Sequence, residues 1–236
     1  MKKEVRLVDE KSGIVQITTE DERFYKVGEL YLPSVTWVLS FVYKDKYFIE
    51  WVAKNGIQES ENIKNAKGLY GSIVHSIAND LLLGNSIIYT DDYILNGRGY
   101  EITPSIWEAV LSFQSWYKEN NVELIHSEIL VHDDKTAGTV DLICRINDET
   151  WLIDFKTSKS VFLTHKIQVS AYKRMYKDKI DRIGILQLGY NLNKKGFKLT
   201  EIEDCVNLFD SAYNFWEHET NEKPYKQKDY PLSIKL

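Results

Sequence analysis

Cysteine is scarce in this chain of 236 residues, in which Cys144 and Cys205 are the only two. Two cysteines are too few for a disulfide scaffold, a four-cysteine zinc site or an iron–sulfur cluster. Long apolar runs are missing as well, because none approaches the ~18–20 residues that a membrane-spanning helix needs. Residues 1–10 include no hydrophobic stretch, which argues against a secretory signal. These absences, with the small size and the high lysine and tyrosine content, predict a cytoplasmic protein of a bacterium or a phage-infected cell.

The composition that remains is that of an ordered globular protein. Hydrophobic residues make up 43% of the chain, charged residues 28% and aromatic residues 13%. A disordered chain or a coiled coil would not combine these fractions. The length supports one sizeable core. We therefore expect a single domain with three parts, which are an N-terminal β-meander (1–30), a helical lobe (31–120) and an α/β core (121–236).

Charge is distributed unevenly along the chain. The net charge of −5 argues against a protein that coats nucleic acid non-specifically. Between Lys156 and Arg182, however, eight basic residues face two acidic ones, which gives this segment a charge of +6. A solvated helix face is the ordinary explanation for such a run. Its position directly after the acidic residues described below favours a phosphate-binding surface instead.

Periodicity predicts a mixed α/β fold. Alternating polar and apolar residues at 4–26 predict the N-terminal meander, and Ser34 and Thr103 are predicted to cap helices. Further helical patterns cover 47–53 and 60–83. Strand-like runs at 128–131, 139–145 and 150–156 precede a helix at 163–176, strands at 183–190 and 197–200, and a last helix at 204–219. The sequence therefore predicts a mixed sheet flanked by helices.

Two carboxylates interrupt strands that are otherwise apolar. Asp141 lies between Val140 and Leu142, and Asp154 lies between Ile153 and Phe155. A carboxylate buried in such a strand costs several kcal/mol unless a cation or hydrogen-bond donors satisfy it. Two of them on adjacent strands would repel each other, so a shared divalent cation is expected. Oxygen ligands favour Mg²⁺ or Mn²⁺ over zinc.

Neighbouring residues extend this candidate site. Lys156 is two residues after Asp154, so both side chains leave the same face of the strand. A lysine there can neutralise a phosphate oxygen or orient a water molecule beside the metal. On the following helix, Gln168 and Tyr172 are four residues apart and can reach the same neighbour.

These residues carry a resemblance to a known superfamily. Gly138-Thr139-Val140-Asp141, then Asp154-Phe155-Lys156, then Gln168–Tyr172, in this order and with these short gaps, resemble the PD-(D/E)xK nucleases. The pattern is most similar to the RecB-like exonuclease branch, which has a Gln–x–x–x–Tyr helix after the Asp–x–Lys strand. Upstream, Gly71–His75 matches the Gly–x–x–x–His of that branch. The resemblance covers about residues 32–172.

The resemblance implies a restriction-endonuclease-like core and a set of site residues. Metal ligands would be His75, Asp141, Asp154 and the backbone carbonyl of Phe155, with Lys156 catalytic beside them. Gln168 and Tyr172 would position DNA or the site itself, and Glu128 would be an accessory acidic residue. One or two Mg²⁺ or Mn²⁺ ions would be bound, without the iron–sulfur cluster of some relatives. Phosphate contacts are expected from the basic segment, including Lys159, Lys166 and Lys173.

The function implied is a metal-dependent DNA exonuclease that acts in DNA repair, recombination or phage DNA metabolism. The chain has no Gly–x–x–x–x–Gly–Lys–Ser/Thr nucleotide-binding motif of the kind that helicases use. Unwinding of a duplex would therefore fall to a helicase or recombination partner, and the DNA substrate would be single-stranded or have free ends. Two alternatives share the fold. One is a restriction-type or junction-resolving endonuclease, and the other is a non-catalytic nucleic-acid-binding module. Retention of His75, Asp141, Asp154 and Lys156 counts against the second.

Overall fold

The computed structural model describes residues 4–9, 13–19, 22–42, 46–189, 192–221 and 235. Its elements in chain order are β1 (Glu4–Asp9), β2 (Ile14–Thr18), β3 (Arg23–Val27), β4 (Leu30–Pro33), α1 (Val35–Ser40), α2 (Lys46–Asn55), α3 (Ile57–Leu82), β5 (Tyr93–Leu95), β6 (Arg98–Tyr100), α4 (Pro104–Glu119), β7 (Glu123–His132), β8 (Ala137–Ile146), β9 (Glu149–Lys156), α5 (Leu163–Met175), β10 (Arg182–Leu188), β11 (Phe197–Glu201) and α6 (Val206–Asn221).

A five-stranded mixed sheet forms the centre of the molecule. Its order is β11-β10-β9-β8-β7. The β9–β10 pair is parallel and the other three pairs are antiparallel. A parallel pair needs a crossover connection, and α5 provides it. The mixed sheet flanked by helices that the sequence predicts is therefore present.

Helices cover both faces of this sheet. The α5 core, between the sheet and helices α1, α5 and α6, includes Val38, Val140, Leu152, Ile167, Ile185 and Phe209. The α3 core, between the opposite face and helices α3 and α4, includes Ile73, Ile77, Phe113, Leu142, Ile153 and Phe155. Since α1 lies on one face and α3 and α4 lie on the other, the structure does not confirm a separate helical lobe over 31–120.

The N-terminal strands β1 to β4 form a second sheet in sequential order, which is the predicted meander. Ile14, Tyr25 and Leu32 are buried against Ala137, at the end of the β7–β8 hairpin. The hydroxyl of Tyr25 also lies 3.4 Å from Oγ1 of Thr139. This small sheet therefore contacts β8 two residues before Asp141.

Local chemistry explains the ends of several elements. The side chain of Ser34 accepts a hydrogen bond from Trp37 N at 3.0 Å, and that of Thr103 accepts one from Ile106 N at 3.4 Å, so both predicted caps are confirmed. The β5–β6 hairpin was not expected. Asn96 and Gly97 turn it with φ of 50° and 74°, and an Asn-Gly pair is the usual signal for such a turn.

None of the helices in the described part of the chain combines the length and apolar character needed to cross a membrane.

Candidate active site

The candidate site lies where strands β8 and β9 separate. Their ladder ends at the pair Leu142 and Ile153, and the next residues along are Asp141 and Asp154. At this point the amide of Phe155 donates to Oδ2 of Asp141 at 2.6 Å. The carboxylate thus takes the place of a backbone acceptor between the two strands. Both acids are buried as the sequence predicts, with Asp141 8% and Asp154 2% exposed.

Strand β8 is irregular at Asp141. Residues two apart share a face in a regular strand, but Val140 packs in the α5 core and Leu142 packs in the α3 core. On the neighbouring strand β7, Glu128 has a φ of 48°, a value that non-glycine residues rarely adopt. Its neighbours Ser127 and Ile129 pair with Leu142 and Val140, so Glu128 lies at the register position opposite Asp141. The two strands are therefore distorted at the same level of the sheet.

Helix α3 brings His75 to this point. Ile73, Val74 and Ile77 are buried in the α3 core and fix the helix on the sheet. Oδ1 of Asp141 lies 3.2 Å from Nδ1 of His75. Gly71 lies one turn earlier, and a Cβ added to it would be 3.5 Å from Oγ1 of Thr157, just after β9. The predicted Gly–x–x–x–His therefore lies along the end of the Asp–x–Lys strand.

A chain of polar contacts connects Asp154 to helix α5. Nζ of Lys156 forms an ion pair with Oδ2 of Asp154 and donates to Oε1 of Gln168 at 3.4 Å. Nε2 of Gln168 donates in turn to the hydroxyl of Tyr172 at 2.9 Å. Gln168 therefore contacts the ammonium group of Lys156, and Tyr172 contacts Gln168.

Gly138, at the start of the motif, packs directly against Tyr172, at its end. A Cβ on Gly138 would lie 2.4 Å from Cε1 of Tyr172, which is nearer than real Cβ atoms approach. Tyr172 is buried, with only 3% of its surface exposed. Gly138 is therefore required because the ring of Tyr172 occupies the place of a side chain.

The three ionisable groups influence one another strongly. Burial raises the pKa of Asp154, Lys156 lowers it and Asp141 raises it again, with a net shift upward. Burial also raises the pKa of Asp141, but the charge and hydrogen bond of His75, followed by Lys156, outweigh burial and lower it. For His75, burial lowers the pKa, yet Asp141 more than compensates and the net shift is upward. The pocket therefore favours added positive charge.

Within the described residues, no three His, Cys, Asp or Glu side chains are grouped so that they could hold a metal as they stand. The donor types nevertheless suit Mg²⁺ or Mn²⁺, since they are two carboxylates and an imidazole. Oδ2 of Asp154 is buried and makes no hydrogen bond with the described residues, and its ion pair is with Lys156. His75, Asp141 and Asp154 would hold such an ion. The role of the Phe155 carbonyl as a ligand stays a prediction.

An open cleft leads to these residues. Its volume is about 790 Å³, and it lies between α3 and the loop from β9 to α5. The residues that line it include Lys67, Tyr70, His75, Lys156, Lys159 and His165. The described residues that line the cleft include three lysines and no aspartate or glutamate. The cleft therefore presents positive charge above two buried carboxylates.

The basic segment does not form one surface. Lys159 lines the cleft, but Lys173 forms an ion pair with Asp204 at 3.0 Å, before α6. Arg174 and Arg182 are also paired with acidic residues. Lys166 is exposed on α5 and is not among the residues that line the cleft. Folding thus separates a run that looked continuous in the sequence.

His165 is a cleft residue that the sequence reasoning did not select. It lines the cleft together with Lys156. The signal was available, because His165 precedes Gln168 by three residues and Tyr172 by seven, which places all three on one helical face.

The pairing of His75 with Asp141 predicts a pH-dependent contribution to stability without metal. Because the folded-state pKa of His75 is above the usual value for histidine, the stabilisation from this pair is fully present below about pH 6.5. It is lost as the pH rises through the folded-state pKa of His75. In EDTA, we therefore expect His75→Gln to lower the Tm more at about pH 5.5 than at about pH 8.5. The control is His218→Gln, an exposed histidine on α6. An equal loss at both pH values would contradict the pairing.

Comparisons with known proteins do not identify a family. No protein-family model matches the chain, and no curated protein matches it. A solved structure described as the crystal structure of SSO0001 is similar to part of it, with 18% sequence identity and a TM-score of 0.33. That match covers 50% of this chain and 60% of the other. So distant a similarity carries no conclusion about function.

Proposed function

We propose that this chain is a metal-dependent deoxyribonuclease that hydrolyses phosphodiester bonds from the ends of single-stranded or processed DNA. The observation that supports it best is the meeting of His75, Asp141, Asp154 and Lys156 at one point, although they come from three separate elements. Buried carboxylates beside one lysine are costly for stability and are expected where chemistry requires them. The residues that carry the superfamily resemblance are the same ones that converge.

Each residue has a definite part in this proposal. When bound, Mg²⁺ or Mn²⁺ would supply stabilisation of negative charge on the phosphate and a lower pKa for an attacking water. Asp141 and Asp154 place negative charge where the cation is needed, and the amide of Phe155 fixes the orientation of Asp141. Lys156, held by Gln168, points a positive charge at the same place and would offset charge that builds on the phosphate in the transition state.

The shape and lining of the cleft support a single strand as the substrate. A volume of about 790 Å³ can hold a short piece of a flexible single strand. Lysines line the walls and can contact phosphates along the strand. Action from an end, as opposed to internal cleavage, rests on the Gln–x–x–x–Tyr resemblance.

The proposal is tested with end-labelled single- and double-stranded oligonucleotides, incubated with Mn²⁺, with Mg²⁺ or with EDTA, and separated by product length. We expect loss of the single strand with either metal and none in EDTA. A covalently closed single-stranded circle distinguishes the modes of cleavage, because an exonuclease leaves it intact and an endonuclease cuts it. Binding without any metal-dependent cleavage would instead indicate a non-catalytic module.

A further inference from the structure

His165 has an unused hydrogen-bond donor in the cleft. The amide of Phe162 donates to Nδ1 of His165 at 3.3 Å. A backbone amide can only donate, so Nδ1 carries the lone pair and the proton of the neutral ring is on Nε2. Nε2 makes no hydrogen bond with any described residue, and it is not one of the polar atoms that are fully buried without a partner. Nε2–H is therefore open to solvent on a side chain that lines the cleft.

The ring of His165 is neutral near neutral pH. Burial, followed by the charge of Lys156, lowers the pKa of His165 to about 3. Lys156 must therefore lie near the ring, which agrees with their shared place in the cleft. A neutral donor next to an ammonium group can bind an anion without adding charge repulsion between the two.

The lysines of the cleft differ from those elsewhere in the basic segment. Lys173, Lys179 and Arg182 each have an acidic partner. Lys159, which is exposed on the cleft wall, has no ion pair with any residue that the structure describes. An unpaired lysine, a neutral N–H donor and Lys156 on the walls of one cleft together fit an anionic ligand.

We propose that His165 and Lys159 form a phosphate subsite next to the cleavage position, where Nε2–H of His165 donates to a non-bridging oxygen of the adjacent nucleotide. The inference rests on the proposed function, because it names how that same cleft holds its strand. His165 is then a substrate-binding residue, and its contact with Phe162 N sets the ring orientation that aims Nε2 at the strand.

The competing explanation is that His165 serves only the first turn of α5, where it accepts the amide hydrogen of Phe162. Two substitutions separate these roles. In His165→Asn, the short amide can still accept from Phe162 N but lacks a donor at the position of Nε2. In His165→Ala, both the acceptor for Phe162 N and the donor at the position of Nε2 are lost.

The test measures anisotropy of a 5′-fluorescein-labelled oligothymidylate in EDTA, which prevents cleavage, at several salt concentrations. We expect His165→Asn to keep the wild-type Tm and to bind about tenfold more weakly. We expect His165→Ala to bind about as weakly as His165→Asn, with a lower Tm because the acceptor for Phe162 N is also lost. Wild-type affinity in His165→Asn, or a loss of Tm in that variant equal to the loss in His165→Ala, would leave only the capping role.

Salt dependence distinguishes the two members of the subsite. Each lysine–phosphate contact adds about 0.7 to the slope of log K against log salt for a single strand. Lys159→Ala should therefore reduce the slope by about 0.7, whereas His165→Asn should weaken binding with the slope unchanged. Lys179→Ala, which removes an exposed lysine already paired with Asp181, is the matched control and should change neither. An unchanged slope in Lys159→Ala would overturn its place in the subsite.

Failure of the subsite and failure of the proposed function give different results. If wild type cleaves DNA but both histidine variants bind normally, the subsite is wrong and the nuclease proposal stands. If wild type binds DNA with the expected variant pattern but never cleaves it, the subsite stands and the catalytic proposal is wrong. If wild type neither binds nor cleaves, both are wrong.

Discussion

Asp154→Asn and Lys156→Ala should each reduce Mn²⁺-dependent cleavage of single-stranded DNA by about 10³-fold or more. Asp154 is 2% exposed, and its carboxylate is one of two that would hold the ion. Its amide replacement has nearly the same shape but lacks the charge that attracts a cation. Lys156 places an ammonium group against that carboxylate, and alanine removes it. Because these groups act as a unit, the double variant should be little worse than either single one.

Binding and folding controls decide how such a loss is interpreted. Both variants should bind an oligonucleotide in EDTA, with Asp154→Asn at least as tight as wild type because it removes negative charge next to the phosphates. The matched control is Asp148→Asn, at the turn before β9, where the left-handed φ of 62° suits asparagine. Wild-type cleavage rates in either site variant would refute the assignment, and loss of cleavage in Asp148→Asn would show a folding defect.

The sequence was most informative where chemistry and periodicity agree. The strand that contains Asp154 and Lys156 is recognisable because two charged residues occupy one face of an otherwise apolar run, and that strand is the buried β9. Caps at Ser34 and Thr103 are equally local, since each depends on a side chain and an amide three residues later. Such features need no knowledge of the rest of the chain.

Other features depend on contacts between distant parts of the chain and could not be predicted in the same way. The distortion at Asp141 involves Glu128 on the neighbouring strand, and the sequence around Glu128 does not mark an irregularity in that strand. The basic segment looked continuous because Asp204 and Glu201, the partners of Lys173 and Arg182, come later in the chain. His165 could not be selected from the sequence because a histidine on a helix has many ordinary roles, and its place beside Lys156 depends on the folded cleft.

Gly138→Ala is expected to destabilise the protein by about 1–3 kcal/mol and to reduce cleavage at least about tenfold. The φ of Gly138 is not in the left-handed region, so the reason is space alone. The new methyl group would lie 2.4 Å from Cε1 of Tyr172, whose ring is buried and cannot simply turn away. Moving Tyr172 would remove the donor–acceptor contact with Gln168, and Gln168 in turn holds Lys156. Thermal unfolding and a cleavage assay measure the two effects.

A double-mutant cycle shows whether this contact is the cause. In a Tyr172→Ala background the clash is absent, so the further substitution of Gly138 should cost much less than it does in wild type. Gly68→Ala on α3 is the control for stability, because its added Cβ meets nothing within 4 Å and alanine favours the helix by about 1 kcal/mol. If Gly138→Ala costs the same in both backgrounds, the ring of Tyr172 is not what requires glycine. If it is as stable and active as wild type, the connection from Gly138 through Tyr172 and Gln168 to Lys156 does not contribute to cleavage.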